Sequence, residues 1–146
     1  MTKIIMIWAV AICCIVRVAA QAVVSVPQVV ADAFHARFPN AARQKWEKEN
    51  ATEYECEFHN GKTEMSAKYD QSGKWLETET EVKVTDLPPA VLEVIIQQYK
   101  DYKLKEAEVV ETQEGKLYEA ELSKGGKVTE LRLSADGRVV STHQGD

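Results

Sequence analysis

Few residues in this chain are capable of chemistry, and their spacing limits what they can do. Beyond the N-terminal segment Cys56 is the single cysteine, and His35, His59 and His143 are the only histidines. A nucleophilic cysteine needs a neighbouring base and an accessible, electropositive setting that lowers its pKa. Cys56 instead alternates with Tyr54 and Phe58, which assigns it to the apolar side of a strand. The histidines fall on a helix, a strand end and the C-terminal tail, and none has the His-x-x-x-His or Cys-x-x-Cys spacing that chelates zinc. Gly-x-Ser-x-Gly, a phosphate-cradling glycine loop and a dinucleotide fingerprint are all missing. The chain is expected to be no enzyme and to need no cofactor.

Glutamate rows remain. With Tyr54, Cys56 and Phe58 turned inward, Glu53, Glu55 and Glu57 turn outward, and Glu119 and Glu121 repeat the pattern. Glu77, Glu79 and Glu81 share their parity with Trp75, which is therefore expected on the same open surface as an aromatic anchor among charges. Glu53, Glu55, Glu57, Trp75, Glu77, Glu79, Glu119 and Glu121 form the expected protein-binding surface. Weak divalent-cation binding is the alternative, although no Asp-rich twelve-residue calcium loop is present. The plainest reading is a solvated face of cross-strand ion pairs with Lys45, Lys48, Lys62 and Lys68. Trp46 is expected to pack beneath a helix.

The elements that must position these residues occur twice. Ser25-Val26-Pro27-Gln28-Val29-Val30, opening a run that ends Phe34 and Phe38, returns 61 residues later as Asp86-Leu87-Pro88-Pro89-Ala90-Val91, ending Ile95 and Tyr99. At an offset of 64, Tyr54-Glu55-Cys56-Glu57-Phe58 matches Tyr118-Glu119-Ala120-Glu121-Leu122, and Gly73-Lys74 matches Gly137-Arg138. Each copy opens with a helix whose apolar residues recur every four, with Ser25 and Asp86 as expected caps. Period-two runs follow, at 44–49, 53–59, 62–69 and 74–84, then 104–112, 116–123, 127–134 and 138–143. Asn-Gly, Gly-Gly and Asp-Gly links mark the hairpins. With no long linker between copies, the expected fold is α+β: two helix-plus-meander repeats, 23–85 and 86–146, sharing one antiparallel sheet of about eight strands with both helices on one face.

Residues 1–22 read as a signal peptide: Lys3, an apolar run from Ile4 to Val16, then Val18-Ala19-Ala20. That run is too short to span a bilayer and Arg17 interrupts it, so no stable membrane insertion is expected after cleavage. The residues before Cys13 and Cys14 are not the small ones that precede a lipidated cysteine. Losing Lys3 and Arg17 lowers 18 basic residues to 16 against 23 acidic ones. Such a chain disfavours nucleic acid and favours cationic partners. Cys56 alone permits no internal disulfide, so the core must hold the fold.

The combination Val-Pro…Phe…Phe-Pro-Asn-Ala…Trp-Glu…Tyr-Glu-Cys-Glu-Phe…Gly-Lys-Trp-Leu-Glu-Thr-Glu, followed by Leu-Pro…Tyr-Glu-Ala-Glu-Leu and Asp-Gly-Arg, resembles the β-lactamase-inhibitor-like, PepSY-like family of bacterial exported proteins from Val24 to the C-terminus. The resemblance implies a two-repeat fold like that of the β-lactamase inhibitory protein, whose concave sheet grips an enzyme. It also implies a periplasmic or secreted, non-catalytic module that inhibits or chaperones an exported enzyme. No inhibitory loop of the family maps onto particular positions here, and the disulfides that staple the repeats of the β-lactamase inhibitory protein are ruled out by the lone Cys56. An envelope protein that collects cations or a small ligand is the second functional expectation.

Overall fold

Two ten-residue helices each precede four antiparallel strands in the computed structural model, which describes residues 24–145. The chain runs α1 (Gln28–Arg37), β1 (Ala41–Lys48), β2 (Glu53–Asn60), β3 (Thr63–Asp70), β4 (Trp75–Glu81), α2 (Pro89–Gln98), β5 (Lys103–Thr112), β6 (Gly115–Lys124), β7 (Lys127–Leu133) and β8 (Val139–Gln144). All eight strands form one sheet in sequence order. The expected leader lies outside the described residues, among which no helix is long and apolar enough to cross a membrane.

Proline, not a polar side chain, starts each helix. Pro27 and Pro88 hold the capping positions at φ −58° and −55°, and neither helix has a side-chain cap bond from Ser25 or Asp86. The fixed φ of the ring supplies the extended geometry a cap needs, and the proline carbonyls accept from Ala31 and Leu92 N–H at 3.1 Å. Asp86 ends a single 3-10 turn, Val84–Asp86, which shortens β4 from its expected end and returns Leu87 to the core.

The core is double. Val30 and Phe34 of α1 pack on Tyr54, Cys56, Phe58, Ala67 and Tyr69, with Trp46 edge-on to Phe34 at 5.2 Å. Val91 and Ile95 of α2 pack on Ala107, Ala120, Leu122, Leu131 and Leu133. Each such side chain contributes about 1.5–3 kcal/mol by leaving water. Between the two cores the sheet is continuous through β4 and β5, paired from Glu77–Thr112 to Glu81–Glu108. The join between the repeats is thus mainly a strand ladder.

Bulges occur at matching places in both copies. An extra residue enters the first strand of each, between Ala42 and Lys45 and between Leu104 and Glu106. Another enters the fourth, beside Trp75 and beside Val139. Each bulge bends its strand and moves the following side chains to the other face.

Candidate functional site

The face away from the helices is concave. Arg132 on β7 bonds Glu77 and Glu79 on β4, although β5 and β6 lie between. On a flat sheet those strands would be about 14 Å apart. Curvature leaves a hollow of about 340 Å³ lined largely by glutamates, among them Glu55, Glu79, Glu106, Glu108, Glu121 and Glu130.

Register places carboxylates directly opposite one another. Glu81 pairs with Glu108, Glu108 with Glu119, and Glu119 with Arg132. One row along, Glu106 pairs with Glu121 and Glu121 with Glu130. Like charges in such pairs repel. Two half-buried cations answer part of this charge. Arg132 reaches Glu77 at 2.8 Å and Glu79 and Glu119 at 2.5 Å, while Lys68 reaches Glu77 at 3.0 Å. Lys68 and Arg132 are repeat equivalents, 64 positions apart. Glu81, Glu106, Glu108, Glu121 and Glu130 have no ion pair among the described residues. The ion-paired surface foreseen from the flanking lysines is therefore confined to one side of the face.

Proton affinities follow this geometry. Burial, then the charges of Glu79 and Glu119, push Glu108 up to about 8. Burial, then Glu119 and Glu77, push Glu79 up to about 7 despite Lys68 and Arg132. Burial also raises Glu55 and, with Glu121, Glu106. Burial opposes ionisation of Glu77 as well, but hydrogen bonds and charge from Arg132 and Lys68 prevail and hold it below the usual carboxylate range.

Of the residues expected from the sequence, Glu55, Glu57, Glu77, Glu79, Glu119 and Glu121 share this face. Glu53 stands at its end, paired with Asp70 and bonded by Asn50 at 2.7 Å. Trp75 is displaced: it lies on the helix side. The extra residue in β4, Leu76, sets Trp75 opposite the inward Tyr69, while Glu77 stays opposite the outward Lys68. Its indole donates to buried Thr78 at 2.9 Å, and Arg37 covers the ring at 3.9 Å. Glu106, Glu108, Glu130 and Arg132 escaped the sequence reading. The alternation Glu106-Ala107-Glu108 and the offset of 64 from Lys68 to Arg132 were the signals that point to them.

Cys56 is fully buried and its thiol is pushed up to about 12 by burial. Among the described residues no group of three or more His, Cys, Asp or Glu is arranged to hold a metal ion.

A continuous concave sheet carried on two helix-plus-meander repeats defines a class of double-repeat modules with one solvent-facing sheet surface. The chain belongs to the β-lactamase-inhibitor-like, PepSY-like family, whose model matches residues 7–74 and again 52–141. It is similar to a solved BLIP-like protein from Bacteroides fragilis, with 25% identity and a TM-score of 0.66 over 84% of this chain and 91% of that one. A protein of Bacteroides eggerthii described as periplasmic shares the fold at 16% identity and a TM-score of 0.72, covering 83% and 90% of the two chains. So does a DUF2874 family protein from Bacteroides ovatus, at 17%, 0.69, 83% and 89%. No curated protein matches the sequence.

Proposed function

We propose that the protein is an exported, non-catalytic binding module whose concave glutamate face docks a basic surface of another exported protein, restraining or escorting it. The observation that carries this reading is the pair of opposed rows, Glu81–Glu108–Glu119 and Glu106–Glu121–Glu130, held together at a cost in repulsion. A partner's lysines and arginines would relieve that cost and be steered to the face by its field. The family's inhibitor-like character supports a protein partner, and the apolar leader with the periplasmic description of the Bacteroides eggerthii relative supports export. A bare divalent ion fits less well, because calcium draws six to eight oxygens and, among the described residues, no group of three or more carboxylates or other ligands is arranged around one point.

Capture from periplasmic extract tests the reading, with the parent protein beside a Glu106→Lys, Glu121→Lys variant. A basic protein retained by the parent, lost by the variant and released by salt is expected. Retention by both would move the contact to the helices or loops, and calcium titration giving saturable heat would favour the cation reading instead.

A further inference from the structure

Ser66 sits at the floor of the hollow between two carboxyls. Its Oγ lies 2.8 Å from Glu55 Oε1 and 3.0 Å from Glu79 Oε2. A serine hydroxyl has one proton to donate and can accept two hydrogen bonds. With both carboxyls ionised, one of these contacts would set oxygen lone pairs against each other. Both are satisfied when one carboxyl is protonated and donates to Ser66 while Ser66 donates to the other.

The surroundings favour that proton. Glu79 faces Lys68 on β3, Glu77 on its own strand, Glu119 on β6 and Arg132 on β7. Arg132 is shared with Glu77 and Glu119, and Lys68 lies nearest Glu77. Glu55 faces Lys68 and Glu49, the residue that follows β1. One strand further, Glu108 stands between Glu81 and Glu119 with Glu79 and Glu106 nearby, and no hydrogen bond from Arg132 reaches it.

We propose that the concave face is proton-linked: it holds protons at neutral pH, one bridged through Ser66 between Glu55 and Glu79 and one at Glu108, and a cationic partner expels them on binding. The second half rests on the docking reading above. Attachment then strengthens as pH rises through the neutral range and weakens in mild acid, about tenfold per pH unit for each proton expelled.

Two measurements test the halves separately. Carbon-detected NMR of the glutamate carboxyls between pH 4 and pH 10 is expected to show one transition near neutrality that is absent in Glu79→Gln and another absent in Glu108→Gln. Both substitutions keep the shape of a protonated carboxyl and remove repulsion, so folding is retained. If every glutamate titrates below about pH 5.5, the proton-holding face is overturned whatever binds. Calorimetry with nona-arginine at pH 7 in phosphate and in Tris is expected to give heats that differ with buffer, as released protons are taken up. Binding with buffer-independent heats would overturn the expulsion. Neutral-range titration without any nona-arginine binding would overturn the cationic-partner reading, and the linkage with it, while keeping the protons.

Discussion

At the scale of single residues, burial decides reactivity. Cys56 has the composition of a nucleophile and the environment of a methyl group: at pH 8 a thiol with a pKa of about 12 is ionised about once in ten thousand molecules. Its modification by a disulfide reagent is expected to wait for unfolding; rapid labelling of the native protein would contradict the packing. Tyr69 is the opposite case, a polar atom where none is needed. Its hydroxyl is buried with no hydrogen-bond partner among the described residues, and the equivalent residue in the second copy is Leu133. Tyr69→Phe keeps the edge-on contact with Phe34 at 6.3 Å and removes the unpaired group. A gain of about 1 kcal/mol in urea unfolding is expected; a comparable loss would mean the hydroxyl is satisfied by water. Cys56 was legible because its strand alternates without interruption. Trp75 was not, because one inserted residue reverses parity and a bulge leaves no mark in composition.

At the scale of elements, the turns that close each meander also seat the helices. Gly73 and Gly137 have φ of +84° and +83°, and a Cβ there would meet the backbone oxygen of Val29 at 2.8 Å or of Ala90 at 2.7 Å. These turns therefore touch the first turn of their own repeat's helix, and glycine is required twice over, by φ and by space. Gly73→Ala and Gly137→Ala are each expected to lose more than about 2 kcal/mol, since a left-handed side chain alone costs roughly 1–2. Gly61→Ala and Gly125→Ala, with positive φ but open space, are expected to lose only that smaller amount. Equal losses in all four, by urea denaturation, would remove the packing part of the argument. Hairpins and helices were readable because glycine, asparagine and apolar periodicity are local signals. The caps expected at Ser25 and Asp86 fall instead on Pro27 and Pro88, and the bulges that bend the sheet went unseen, since both depend on how the chain packs onto itself.

At the scale of the whole molecule, two separately packed cores are joined by the β4–β5 ladder, by contacts beside it such as Gln113 donating to the Trp75 carbonyl at 2.8 Å and Val82 packing on the second core, and by the charges laid across the seam. Arg132 of the second repeat, bonded to Glu77 and Glu79 of the first, is the side chain that ties them on the concave face. Folded Glu79 and Glu108 titrate at about 7 and about 8, above the ordinary value of 4.5. The folded state thus keeps protons that the unfolded chain releases, and this stabilisation is complete below pH 4.5 and lost as pH climbs through 7 and 8. Discounted for solvent screening at these partly exposed carboxyls, the parent is expected to be more stable at pH 5.5 than at pH 8.5 by on the order of 3 kcal/mol. Arg132→Gln leaves Glu79 and Glu119 without their ion-pair partner and Glu77 with Lys68 alone, and removing one partner of such a cluster costs about 3–5 kcal/mol when it is fully buried. With Arg132 22% exposed, about 2–3 kcal/mol is expected at pH 8.5, and less at pH 5.5 where Glu79 is protonated. Trp46 and Trp75 both lie in the first repeat, so their fluorescence follows that half while far-ultraviolet dichroism follows both. In the parent the two urea transitions should coincide. In Arg132→Gln at pH 8.5 they should separate if the guanidinium couples the repeats, whereas a coincident, merely weakened transition would assign the coupling to the β4–β5 ladder and the contacts beside it.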